Sequence, residues 1–443
     1  MPKRQASVAV IGAGIAGATA AFRLKSLGFE PVIFEAADYV GGRVKSIHRG
    51  PYTFDVGAFI CLGSYQETLD LIHESGLTSQ LSRADAYGAM PRNGRLQFLD
   101  FKKPVRTIVG TPYLSASAKL KALKLFALLA RNWSHLNYED AGGVAELDTD
   151  SVRTYCEREL SPELMEYVAS VVVRGPWLQN IDTASIAQLL WTMKNFFKPH
   201  FYNLDEGMAA LPRRLVEGCD LRLNNAVTQV ANRGDSVELH WTDSGGTPVC
   251  ERFDSVVMTA TADRVLKMMP QLQGTQRQFF ADTRYNCSVN THIVLREAPS
   301  NPATYIMVAP SENPELCGVI VDHKKARRRV PDGQGMMTVF CRHEWCERHL
   351  DASNDQVVSQ VLSFIRPYYG DLSNDIVDVE VARWTQVVPF MQKGRFRQMA
   401  EYQRAMDPRA RVQFANDLLP IGGVNAALVS GEKAARRVAA CYA

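Results

Sequence analysis

The chain has 443 residues, 46% of them hydrophobic and 22% charged, and a formal net charge of +3. That length is too great for one ordinary core and predicts two or three packed units. The composition excludes a disordered protein, and a charge this close to zero gives no reason to expect a nucleic-acid partner.

The first residues, MPKRQAS, lead directly into Val8–Ile11, an apolar run of the kind that forms a buried parallel strand. This leaves no room for a signal peptide, and no later segment reaches the roughly 18 apolar residues of a membrane span. The nine cysteines are scattered and odd in number, so free thiols in a reducing, cytoplasmic setting are expected. Gly12-Ala13-Gly14-Ile15-Ala16-Gly17 follows the strand at once and reads G-x-G-x-x-G. An alanine-rich helix pattern runs from Ala18 to about Leu27, and Gly28 closes it as a C-cap would. A second apolar strand, Pro31–Phe34, ends at Glu35-Ala36. In this arrangement Gly12 permits the tight turn, Gly14 lets a pyrophosphate approach the backbone, and Gly17 lets helix and strand pack closely. The helix N-terminus turns free N–H groups toward the phosphates, and Glu35 stands where an acidic side chain takes the ribose hydroxyls. A dinucleotide site is expected.

Further along, Tyr52–Ala58 reads as a strand running into a glycine turn, Gln66–Glu74 as a helix, and Arg92–Leu99 as a hairpin turning at Asn93-Gly94. From Ser115 to about Phe197 the pattern is mainly helical. Leu204–Cys219 holds a glycine turn and a short helix. Strands are expected in Leu221–Val230, Val237–Trp241, Phe253–Thr259, Cys287–Arg296, Met336–Arg342, Val377–Arg383 and Val412–Ala415, and helices at Val357–Ile365 and Ala426–Ala440. The basic run Lys324-Lys325-Ala326-Arg327-Arg328-Arg329 precedes the turn Pro331-Asp332-Gly333 and reads as a solvated loop. Cys341, His343, Cys346 and His349 carry zinc-type donors. A strand-to-helix change falls between them and their spacing is not a usual zinc pattern, so no metal is expected. Strands at both ends of the chain, with helices and mixed sheet between, predict an α/β fold (α+β overall). Its Rossmann-like cofactor domain is assembled from residues 1–80, 203–285 and 405–443. A mixed-sheet substrate domain takes residues 81–114 and 286–404, and residues 115–202 form its helical part.

The chain resembles flavoproteins of the amine oxidase, protoporphyrinogen oxidase and phytoene desaturase superfamily over nearly its whole length. After the glycine fingerprint, Val40-Gly41-Gly42-Arg43 resembles the family's G-G-R motif, which implies FAD; Arg43 can pair with a phosphate through two parallel bonds. Phe54-Asp55-Val56-Gly57-Ala58-Phe59 resembles the segment passing beside the isoalloxazine ring, where small residues allow close approach. Asn225-Ala226-Val227 resembles the strand whose valine holds the adenine. Phe414-Ala415-Asn416-Asp417, with Gly422-Gly423-Val424-Asn425, resembles the last strand and helix. The resemblance implies that Asp417 holds the ribityl-phosphate end and that the helix from Val424 faces the flavin C2 carbonyl, where charge gathers on reduction. The family has glycine where Asn416 stands.

The same resemblance implies an FAD-dependent oxidase or dehydrogenase that desaturates a C–C or C–N bond of a bulky, largely apolar metabolite by hydride transfer to flavin N5, with O2 or another electron acceptor. The alternatives are a flavoprotein isomerase or dehydroxylase without net oxidation, and a monoamine-type oxidase. The lysine of amine oxidases aligns with Thr291, and Leu418–Gly423 lacks their aromatic wall. Thr111-Pro112-Tyr113-Leu114-Ser115 and the Arg383-Trp384…Pro389-Phe390-Met391…Gly394 series resemble the protoporphyrinogen oxidase and phytoene desaturase branch. His292, titrating near neutral pH if unperturbed, and Arg174, interrupting an apolar helix beside Trp177, are the candidate catalytic groups. Lysines among leucines in Ser117–Arg131 form the pattern of a helix lying on a membrane surface; the other reading is a cap over the substrate cavity.

Overall fold

The computed structural model describes residues 6–442 except positions 86, 101, 113, 198 and 199; Tyr113 of the branch motif therefore lies outside the described residues. A parallel sheet takes strands in the order Asp220–Arg222, Pro31–Phe34, Val8–Ile11, Ser255–Met258 and Val412–Phe414. Numbered along the chain this is 3-2-1-4-5, the doubly wound order, in which ligands bind at the carboxyl ends where the order reverses. Here that point is the pair Val8–Ile11 and Ser255–Met258, every residue of which is buried. One face is covered by the helices Ile15–Ser26 and Val424–Ala440. They cross so closely that a Cβ on Gly431 would lie 2.3 Å from the Ala16 carbonyl oxygen. The other face is covered by a three-stranded meander, Ala226–Asn232, Val237–Thr242 and Pro248–Phe253. Its Trp241 and Phe253 pack on Phe34, with ring centroids 4.7 and 5.9 Å away.

A seven-stranded mixed sheet follows the order Ile376–Trp384, Ser288–Leu295, Gly335–Cys341, Leu316–Val321, Tyr305–Met307, Tyr87–Arg92, Arg95–Asp100. The last two strands form the expected hairpin: Arg92 pairs with Arg95, and both turn residues have positive φ, as a tight hairpin with right-handed strand twist requires. Side-chain alternation divides the sheet's work. Val289, Ile293, Val319 and Val339 pack against Val357, Val361 and Ile365 of the helix Asn354–Tyr369. Val294, Met336 and Ala382 pack on the opposite face against Phe54 and Val56.

Helices occupy the chain from Pro104–Gly110 to Ile186–Asn195. Ser115, Ser151, Ser161 and Ser185 each cap a helix by accepting from a backbone N–H one turn in or less. The helix Ala116–Arg131 buries Ala118, Ala122, Leu125 and Leu129 and leaves Leu120 and Leu123 on its exposed side. Among the described residues no helix is long and apolar enough to cross a membrane.

The basic run departs from expectation. Lys325 and Arg329 are fully buried rather than solvated. Buried carboxylates explain this: Lys325 Nζ lies 2.7 Å from Asp322 and 3.4 Å from Asp55, and Arg329 donates to Asp55 at 3.0 Å. All nine cysteines are free. Three of the four zinc-type side chains have partners of their own. Cys346 Sγ donates to the Cys341 carbonyl, His343 Nδ1 accepts from the Cys287 N–H, and His349 Nδ1 meets the Trp345 carbonyl.

Candidate cofactor and active site

The glycine loop sits at the carboxyl end of Val8–Ile11. Gly12 has φ +102°, and a Cβ there would strike Thr259 Oγ1 at 2.5 Å; one on Gly17 would strike the Gly12 carbonyl at 1.9 Å. Gly14 differs, because a Cβ there would meet nothing closer than 3.9 Å. Its missing side chain leaves open space, as a pyrophosphate cradle needs. Ile15, Ala16 and Gly17 form the first turn of a helix whose N-cap supplies no side chain and whose first turn has no acid, so its N–H groups are offered outward. The Gly41-Gly42 turn lies against this loop: Gly41 N–H donates to the Ala13 carbonyl at 2.9 Å.

Glu35 is partly buried at the next strand end. Its Oε2 accepts from Ala13 N–H at 2.7 Å and its Oε1 from Ala37 N–H at 2.8 Å, while Ala36 is exposed in the turn. Each carboxylate oxygen retains capacity to accept from a sugar hydroxyl. Asn225 N–H donates to the Glu35 carbonyl at 2.9 Å, and Val227 follows two residues on, at a bulge in its strand. Arg43 does not wait as a free fork. Its Nη1 and Nη2 grip the two oxygens of buried Asp417 at 2.8 and 2.7 Å, and Nη1 also donates to the Val387 carbonyl at 2.6 Å. Beyond Asp417, Gly423 (φ +114°) starts the helix from Val424, again with no capping side chain and no acid in its first turn. Loop, acid and two uncapped helix ends therefore suit a dinucleotide carrying a pyrophosphate and a reducible ring.

The segment Phe54–Phe59 joins this loop region to the seven-stranded sheet. Gly57 must be small here because a Cβ there would lie 2.1 Å from the Arg43 carbonyl. Ala58 N–H donates to that same carbonyl at 2.9 Å. The sheet grips the segment at three points. The Phe54 and His292 rings lie 6.0 Å apart, Trp384 Nε1 donates to the Val56 carbonyl at 2.7 Å, and the Phe340 and Phe59 rings lie 6.0 Å apart.

His292 thus faces the segment Phe54–Phe59, but it is buried. Its Nδ1 meets Thr338 Oγ1 at 2.7 Å, its Nε2 has no partner, and burial pushes its pKa down to about 4. It does not titrate near neutrality. Arg174 is buried, and its Nη2 donates to the Pro314 carbonyl at 2.7 Å. Neighbouring Gly175 packs on Tyr305, whose hydroxyl a Cβ would meet at 2.5 Å. Thr291, aligned with the lysine of amine oxidases, belongs to the helix-covered face with Val289 and Ile293; Asn290 lies on the opposite face, the one toward Phe54–Phe59.

The sequence reading missed the charge cluster under Phe54–Phe59. Asp55 accepts from Arg329, from Asn203 Nδ2 at 3.0 Å, from Ser46 Oγ at 2.7 Å and from Met208 N–H at 2.9 Å. Burial alone would raise its pKa, but the adjacent guanidinium and ammonium hold it down at about 2. Arg329 also bonds Asn203 Oδ1, and Lys325 Nζ lies 5.8 Å over the Phe59 ring. The clue was the pattern of basic residues three and four apart beside Asp322, read as a surface feature.

The sequence profile for flavin containing amine oxidoreductases matches residues 15–439. Coproporphyrinogen III oxidase of Mycobacterium tuberculosis is 24% identical over 447 residues, covering 92% of each chain. Protoporphyrinogen oxidase 2 of Arabidopsis thaliana is 27% identical over 441 residues, covering 86% of this chain and 84% of that one. The structure of cyclohexylamine oxidase from Brevibacterium oxydans superposes with a TM-score of 0.77 at 16% identity, over 98% of this chain and 99% of that one, and so shares the fold. The chain belongs to the flavin containing amine oxidoreductase family and is an FAD-dependent oxidoreductase.

Proposed function

We propose that this oxidoreductase desaturates a C–C or C–N bond of a bulky, largely apolar metabolite, with porphyrinogens, named in two relatives, as the first candidates. Bound FAD supplies the acceptor for a hydride equivalent and passes the electrons to O2 or another acceptor. The observation that carries the reading is an aromatic row leading from the cofactor side. Phe59 meets Phe340 at 6.0 Å, Phe340 stacks on Tyr305 at 5.9 Å and 14°, and Tyr305 meets Phe201 edge-on at 6.5 Å. Such a row suits a flat, unsaturated substrate better than a small amine.

The chain's own groups would act by position. Gly12–Gly17, Glu35 with Ala36, Gly42, Arg43, Val227, Asp417 and Val424 would hold the dinucleotide, and Gly57, Ala58 and Phe59 would line the ring. Strand Ser288–Leu295 carries no lysine, and Lys325, which approaches Phe59, is held by Asp322 and Asp55. His292 acts as a neutral group in this reading and Arg174 as a support of the pocket wall. Incubation of the holoenzyme with coproporphyrinogen or protoporphyrinogen in air tests the reading. Porphyrin absorbance growing with enzyme concentration supports it; no increase over the uncatalysed oxidation, alongside peroxide release from a small amine, refutes it.

A further inference from the structure

Strand Ser288–Leu295 is buried at every residue, and its alternation decides what it offers the cofactor. His292 bonds Thr338, and Val294 packs with Phe54 and Met336, so the even-numbered residues look toward Phe54–Phe59. Asn290 stands at the middle of that face, between the strands that carry Ala382 and Phe340. The three grips on the segment surround it: Phe54 on His292, Trp384 on Val56, and Phe340 on Phe59. Gly57 and Ala58, between the outer grips, put no large side chain over it. Asn290 is only 5% exposed, and its Oδ1 has no hydrogen-bond partner.

Its polar neighbour cannot satisfy that oxygen. Asp322 is paired with Lys325 and accepts from Thr338 Oγ1 at 2.6 Å. The single hydroxyl proton of Thr338 is therefore spent on Asp322, and Thr338 must accept from His292 Nδ1–H at 2.7 Å. His292 Nε2 then carries no proton and is itself an unpartnered acceptor. This face holds two unpartnered buried acceptors, Asn290 Oδ1 and His292 Nε2, and each calls for a group that brings an N–H or O–H.

We propose that Asn290 presents its Oδ1 to the reactive edge of the flavin and accepts a hydrogen bond from the ring nitrogen that carries hydrogen only in the reduced cofactor. The Asn290 contact is then absent before reduction and present after it, so it favours reduction. The inference rests on the placement of Phe54–Phe59 beside the flavin, and it does not depend on which substrate is oxidised.

The test is the midpoint potential of the substrate-free holoenzyme, titrated with dithionite against a reference dye, for the wild type, Asn290→Leu and Thr291→Val. Asn290→Leu makes two-electron reduction about tenfold less favourable, a downward shift of about 30 mV. Thr291→Val, on the same strand but the opposite face, leaves the potential unchanged. Equal potentials for the wild type and Asn290→Leu with full FAD content overturn the proposal, and so does an equal shift in both variants. A group touching substrate alone would give that first result. If Asn290→Leu fails to retain FAD, Asn290→Thr serves in its place: a downward shift supports the proposal and an unchanged potential overturns it. Failure of the porphyrinogen reading leaves this titration unaffected.

Discussion

Arg43 and Asp417, 374 positions apart in the chain, face each other as a two-pronged ion pair, Nη1 to Oδ2 at 2.8 Å and Nη2 to Oδ1 at 2.7 Å. The pair fastens the loop after the second strand of the parallel sheet to the loop after its last, Val412–Phe414. One ammonium cannot make two parallel bonds. Arg43→Lys should therefore weaken FAD binding about tenfold, or about 1.4 kcal/mol, while secondary structure measured by circular dichroism stays intact. An unchanged dissociation constant from flavin fluorescence titration would show that the fork does not shape the site.

Glu35 accepts from the N–H groups of Ala13 and Ala37. Replacing it with glutamine turns an NH2 group toward one of these donors and removes the charge that sugar hydroxyls would bond. A charge-assisted bond of this kind is worth roughly 1.5–3 kcal/mol, so Glu35→Gln should raise the FAD dissociation constant by about tenfold or more. Isothermal titration of the apoprotein with FAD measures it, and equal affinity would move the ribose site elsewhere.

Lys325 sits between Asp322 and Asp55 with no exposure. Lys325→Met leaves two buried carboxylates short of a cation, and breaking a buried pair in this way costs about 3–5 kcal/mol. Thermal melts should show a large fall for Lys325→Met and a smaller one for Lys325→Met combined with Asp322→Asn, which removes one stranded charge. Equal falls would mean that the charges are not coupled.

Acid should loosen the fold in two windows. His292 is held near pKa 4 against 6.5 unperturbed, so the folded state binds fewer protons than the unfolded one between those values, and stability falls as the pH drops from 6.5 to 4. Asp55 is held near 2 against 3.8, so the stability it contributes is present above 3.8 and is lost as the pH falls from there through 2. Melting temperatures across the upper window should decline more steeply for the wild type than for His292→Gln. Matching slopes would contradict the burial of a neutral imidazole.

The cofactor unit was legible because its chemistry is local. Gly12, Gly14, Gly17 and Glu35 lie within one strand–helix–strand passage, where spacing alone carries meaning. Strand and helix positions were legible for the same reason, from Val8–Ile11 to the closing helix. What escaped was set by tertiary pairing. No local pattern tells that Lys325 and Arg329 meet Asp55 across 270 and 274 positions. Nor does a lone strand reveal which of Asn290 and Thr291 faces Phe54–Phe59, because shifting by one residue exchanges the faces. The Arg43 carbonyl, 2.1 Å from where a Cβ on Gly57 would lie, is likewise a neighbour that only the folded chain supplies.

Anaerobic stopped-flow mixing of the oxidised holoenzyme tests the functional account most directly. Protoporphyrinogen or coproporphyrinogen should bleach the flavin band within one turnover, at a rate in the usual enzyme range of about 1–10³ s⁻¹, while benzylamine and phenethylamine leave it unchanged over the same time. Rapid bleaching by either small amine, with the porphyrinogens inert, would contradict the account and make this chain an amine oxidase in substrate as well as in family.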